Sequence, residues 1–115
     1  MQYVLMIYGD EAGMGKASKA DTDKMMAAYG AYSEAMKTAG VIRGRERLRP
    51  SSDAASVRVK DGKSKVLNGP YAETKEQLGG YFIIDVPDLD AAISWAARCP
   101  GASAGTVEVR PTWPM

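Results

Sequence analysis

The 115-residue chain has no histidine, and that absence removes more chemistry than any motif supplies. Without imidazole there is no Ser-His-Asp or Cys-His catalytic arrangement, no zinc site of the common kinds, and no side chain whose unperturbed pKa lies near neutrality. Acid–base work falls to shifted carboxylates, lysine or tyrosine. The single cysteine, Cys99, cannot form an internal disulfide, which agrees with a reducing compartment. Only hard, oxygen-ligated cations are left open and no segment has the spacing of a calcium loop, so neither a metal nor a cofactor is expected. Charge is nearly balanced, 15 Lys+Arg against 14 Asp+Glu, and no global field draws the chain to nucleic acid or an anionic membrane. The apolar runs are too short to span a bilayer, and MQYVLMIYGD lacks the basic n-region and cleavage site of a signal peptide. The expected location is cytoplasmic.

What is present fits one domain, residues 1–115, able to bury about two-thirds of its unfolded surface. Tyr3–Tyr8 (YVLMIY) is an unbroken apolar run of strand length ended by Gly9-Asp10, and reads as a central strand. Asp21–Ala39 spaces Met25, Tyr29, Tyr32 and Met36 along one helix face, with Asp21 or Thr22 as N-cap and Gly40 as the stop. Strands follow at Ile42–Leu48 and Ser56–Lys60. The second alternates Val57 and Val59 inward with Arg58 and Lys60 outward, turns at Asp61-Gly62, and is answered by a short return at Val66-Leu67. Gly80–Val86 is the next strong strand. Asp88 then opens a helix with Leu89, Ala92, Ile93, Ala96 and Cys99 on one face. Thr106–Arg110 is the last strand, after which PTWPM leaves the sheet.

This order gives an α+β fold, a ferredoxin-like split βαβ plait in which two helices cover one face of an antiparallel sheet. The other face is apolar as well: Val4, Met6 and Tyr8 oppose Tyr3, Leu5 and Ile7, and Tyr81 and Ile83 oppose Phe82 and Ile84. So large an exposed patch is unusual for a monomer, and a homodimer packed sheet to sheet is expected.

The stretch Asn68–Gly80, NGPYAETKEQLGG, joins a turn and one helical turn to a strand entered through Gly79-Gly80. With WAARCP, TVEVRP and the opening MQYVLMIYGDEA, it resembles the DGPF branch of the YCII-related proteins over nearly the whole chain. The resemblance implies ferredoxin-like dimers that form a dimeric α/β barrel, often beside sigma factors of the extracytoplasmic-function class. Members of a shorter branch carry a His and an Asp proposed as an acid–base pair. This chain has no His, and Asn68 stands where the motif has Asp, so that pair is not carried over.

The candidate ligand-binding residues are Tyr8, Asp10, Gly69, Pro70, Glu73, Lys75 and Glu76. Two carboxylates beside an ammonium tune one another's ionisation, and the Gly69-Pro70 turn fixes the backbone. Structural roles compete with this reading, since Thr74-x-x-Gln77 is a capping-box pattern and the charged side chains are solvated on a surface loop. Two functions stand open. One is a binding module for a small, possibly anionic metabolite; the other is a cofactor-free enzyme with Glu73 or Asp10 as base and Lys75 as stabiliser. A protein–protein adaptor in a regulatory setting is a third.

Outside the motif, Arg43, Arg45, Arg47 and Arg49 alternate along an extended segment and fall on one face, as a solvated edge, a small-anion site or a nucleic-acid contact. Gly13-Met14-Gly15-Lys16 fails the phosphate-loop spacing, because Asp10 and Ala17 stand where Gly and Ser or Thr are needed. Cys99 reads as a buried structural thiol, Tyr8, Tyr29 and Tyr32 as core residues, and Asp85, Asp88 and Asp90 as helix-capping residues.

Overall fold

In the computed structural model, which describes residues 1–114, β1 (Gln2–Gly9) runs through the middle of the main sheet. After it come a single turn α1 (Glu11–Met14), the long α2 (Lys19–Thr38), β2 (Ile42–Arg47), β3 (Ala55–Lys60), β4 (Lys63–Asn68), β5 (Gln77–Asp85), α3 (Leu89–Arg98) and β6 (Thr106–Pro111). The sheet order is β2-β5-β1-β6 and every described pairing is antiparallel. With β3 and β4 set aside, this is the ferredoxin-like α+β arrangement. Those two strands pair only with each other, as a separate hairpin.

Alternation along β1 and β5 decides which face is covered. Tyr3, Leu5, Phe82 and Ile84 are buried under the helices together with Tyr32, Met36, Ala92, Ala96 and Cys99. Tyr32 ties the layers together. Its ring meets Phe82 edge to face at 5.4 Å, and its hydroxyl donates to the Trp95 carbonyl at 2.7 Å. Burial pushes the Tyr32 phenol well above its ordinary range. Cys99 lies beside Tyr29, 3.7 Å from its hydroxyl and buried, in the structural role its place on the helix suggested.

Several local expectations change. The N-cap of α2 is Ser18, whose hydroxyl accepts from the Asp21 N–H, so the helix starts before the Asp21 or Thr22 cap suggested by sequence. Gly40, at φ 72°, does end it. In α3, Asp88 is the N-cap and Ala92 and Ala96 are buried, but Leu89 and Ile93 are exposed: small residues set the helix close to the sheet and turn the larger ones out. Val57 and Val59 do not point inward, because their hairpin stands apart from the core. Its turn is the expected one, with Asp61 at φ 53° and Gly62 at φ 74°, as a type I′ turn requires. Residues 70–76 form no helical turn; Thr74 Oγ1 donates to the Glu76 carbonyl and Gln77 Nε2 to the Thr74 carbonyl, both at 2.5 Å. Pro111 still pairs with Tyr3 and the Thr112 N–H reaches the Gln2 carbonyl, so the tail leaves the sheet later than expected, and Met115 lies outside the described residues.

Asp85 takes an ion pair rather than a cap. The N-terminal ammonium donates to it at 2.9 Å and Arg43 stands 3.8 Å away, so the carboxyl is held below its ordinary value of 3.8, first by the hydrogen bond from the ammonium and then by the charge around it. A depressed carboxyl adds stability at neutral pH that is lost as pH falls below about 4. Asp85→Asn therefore removes this component of acid sensitivity, and the gap in melting temperature between wild type and variant should narrow between pH 5 and pH 3.

Two glycines give opposite predictions. A Cβ on Gly80 would sit 2.7 Å from the Glu46 carbonyl oxygen, backbone that cannot swing away, so Gly80→Val should cost about 1–3 kcal/mol in urea unfolding. Gly30 lies inside α2 with nothing within 4 Å of a Cβ, so Gly30→Ala should gain about 0.5–1 kcal/mol in the same assay.

Candidate functional site

Where β1 ends, three strands bring side chains onto the face of the sheet that no helix covers. Tyr8 pairs with Thr106 on β6 and, across a register shift, with Leu78 on β5; Met6 pairs with Glu108. Glu76 precedes β5 and reaches over to Thr106, whose hydroxyl donates to its carboxylate at 2.9 Å. Tyr8, Glu76, Thr106 and Glu108 line a shallow concavity of about 460 Å³. Arg110 donates to the Glu108 carboxylate at 2.5 Å. The lining holds two carboxylates and two hydroxyls, a set that accepts hydrogen bonds from amines and hydroxyls and disfavours an anion.

The sequence candidates separate here. Tyr8 and Glu76 meet in the concavity, while Asp10, Gly69, Pro70, Glu73 and Lys75 do not line it. Asp10, Glu73 and Lys75 are exposed. Asp10 caps α1 by accepting from the Ala12 N–H at 3.1 Å. Gly69, at φ 110°, closes the hairpin: its N–H donates to the Ala54 carbonyl at 2.6 Å, and its carbonyl accepts from Ser56 Oγ at 2.9 Å. Its work is to return the chain from β4 toward β5.

Thr106 and Glu108 were missed as site residues, since a terminal strand with Val107 and Val109 reads as sheet and its polar alternates read as solvent-facing. Glu11 was missed too. Its carboxylate accepts from the Ser51 N–H at 2.8 Å and the Ser51 hydroxyl at 2.6 Å, and its own N–H donates to Gln77 Oε1 at 3.0 Å. It thus joins the end of β1 to both roots of the hairpin segment. A negative charge two residues after a strand, with its partners 40 and 66 residues away, leaves no local signature.

The arginines do not form one row. A register shift between Ile42 and Gly44 breaks the alternation, and β2 ends at Arg47. Arg43 turns to the Gly40 and Ile42 carbonyls and to Asp85, Arg45 donates to Ser33 Oγ at 2.5 Å, Arg47 reaches Met26 on α2, and Arg49 pairs with Asp53 at 3.0 Å. Arg45 lines a groove of about 350 Å³ with Ser33, Lys37 and Glu34. Among the described residues no three His, Cys, Asp or Glu side chains are grouped to hold a metal ion, and no helix is long and apolar enough to cross a membrane.

The motif, the two-helix plait and the hairpin between β2 and β5 all point one way, and the family model of the YCII-related domain matches residues 1–115. The chain belongs to the YCII-related family. An uncharacterized protein of Rhizobium meliloti (strain 1021) is 37% identical to it over 113 residues, covering 96% of this chain and 91% of that protein. In this YCII-related chain, NGPYAETKEQ positions Glu76 and Gln77 and releases the hairpin; its remaining charges stand in solvent.

Two outcomes check this geometry. Glu11→Ala removes an acceptor of two hydrogen bonds and should cost about 1–3 kcal/mol in urea unfolding, with faster amide exchange at 51–54. Arg45 is already engaged by Ser33 and shares its groove with Glu34. Phosphate should therefore raise the melting temperature no more than sodium chloride of equal ionic strength, and a specific phosphate shift abolished by Arg45→Glu with Arg47→Glu would restore the anion site.

Proposed function

We propose that this protein acts as a homodimer packed sheet to sheet, whose concavity around Tyr8 and Glu76 binds a small polar metabolite. The observation that carries the reading is the open face of the sheet: Val4, Met6, Tyr81 and Ile83, on strands whose opposite face packs into the core, run into the concavity of Tyr8, Glu76, Thr106 and Glu108. A second copy on that face removes the apolar side chains from water and roofs the concavity, turning a shallow site into an enclosed one. The two such packed sheets form the dimeric α/β barrel expected from the family resemblance.

The lining shifts the expected ligand. Glu76 and Glu108 favour a hydroxylated or amine-bearing molecule over the anion suggested by sequence. Proton-transfer catalysis with Asp10 or Glu73 as base ranks second: a general base works best shielded from water, and both are exposed on the chain, with Asp10 engaged as a helix cap. The adaptor role, in a sigma-factor-linked setting, ranks third for want of a surface that selects a different partner.

Met6→Asp and Ile83→Asp should each turn a dimer into a folded monomer by light scattering after gel filtration; unchanged dimers from both would refute face-to-face packing. In a native mass spectrum the protein as purified should carry a small-molecule mass on the dimer, lost in the Glu76→Ala/Glu108→Ala variant. A clean apo dimer would count against the binding role.

A further inference from the structure

The β3–β4 hairpin has two chemically different faces. Register places Val57 opposite Val66 and Val59 opposite Ser64 on one face, and Arg58 opposite Lys65 and Lys60 opposite Lys63 on the other. The three valines are 60%, 68% and 64% exposed. An isolated hairpin is marginal in water, and like charges directly opposite one another weaken it further. Its two ends close on each other where the Gly69 N–H bonds the Ala54 carbonyl, and just before the root Ser51 bonds Glu11 of the body. The molecule measures 48 × 42 × 18 Å, a slab one sheet and one helix layer thick, so the hairpin extends the slab sideways and does not fold back over it.

We infer that this hairpin is an arm that grips a second copy of the chain, seating Val57, Val59 and Val66 against the partner beside the sheet contact. The inference rests on the homodimer reading above. Area argues for it. Val4, Met6, Tyr8, Tyr81 and Ile83 are each only partly exposed, so their apolar surface alone falls short of the about 800 Å² per partner that a stable interface buries. The three arm valines, each more than half exposed on one face of the hairpin, add further apolar surface. The other face carries Leu67 near the root, and beyond it the opposed cations Arg58, Lys60, Lys63 and Lys65 keep that side in water and guard both hairpin edges against strand addition, so the arm docks by its valine face and not by backbone pairing.

The test combines sedimentation equilibrium with amide hydrogen exchange on the full chain. A Val57→Ser/Val59→Ser/Val66→Ser variant should keep the monomer fold and raise the dimer Kd at least tenfold, whereas Lys60→Glu/Lys63→Glu should leave it within twofold. Residues 55–68 should exchange at least tenfold more slowly in the wild-type dimer than in the Met6→Asp monomer, a comparison that holds even if the valine variant fails to fold. A monomeric wild type would sink the homodimer reading itself. A wild-type dimer whose Kd ignores the valine changes, or whose arm exchanges equally in dimer and monomer, would sink the arm alone. Loss of dimer in the lysine variant would instead assign the contact to the cationic face.

Discussion

A four-stranded sheet has two faces, and this chain supplies helices for one. That constraint governs the rest of the structure. On the covered face, Tyr3, Leu5, Phe82 and Ile84 are sealed by α2 and α3 through Tyr32, Met36, Ala92 and Ala96. On the other, the same strands present Val4, Met6, Tyr8, Tyr81 and Ile83, residues a solvated antiparallel face would replace with polar ones. The apolar pattern on both sides of β1 and β5 is the observation on which the proposed homodimer rests.

The site depends on the same constraint. Tyr8, Glu76, Thr106 and Glu108 meet because β1 is central and both its neighbours end nearby, so their side chains share the uncovered surface. Alone they form a shallow dish in water. In the proposed dimer a partner would roof them, and hydrogen bonds to a ligand there would face less competition from solvent. The motif Asn68–Gly80 serves this end indirectly. Gly69 ends the hairpin, Gln77 fastens α1 through the Glu11 N–H, and Glu76 is delivered to Thr106.

Local chemistry was legible at several elements, though the α2 cap fell on Ser18 and the Thr74-x-x-Gln77 pattern formed no helical turn. The alternation of β1, the Asp88 cap, the Gly40 stop and the Asp61-Gly62 turn follow from side-chain period, capping and backbone preference, and each stands where those rules place it. What could not be read depends on partners distant in the chain. Val57 and Val59 alternate like core residues, yet β3 joins no sheet with a core beneath it. Arg43 to Arg49 looked like one charged face until a register shift in β2 divided it among Asp85, Ser33, Met26 and Asp53. In the site, Tyr8 and Glu76 were legible from the motif and the strand end. Thr106, Glu108 and Glu11 were not, because only the fold brings them to that point.

The methionines provide the most direct check on the uncovered face. In the isolated chain Met36 is fully buried, Met14 and Met26 are more than half exposed, and Met6 lies on the open sheet. Methyl NMR with a soluble paramagnetic agent reads their exposure in solution, without any substitution. If the face is covered, the Met6 methyl will be shielded to the same degree as Met36 while Met14 and Met26 broaden; broadening of Met6 alongside Met14 and Met26 would contradict the account.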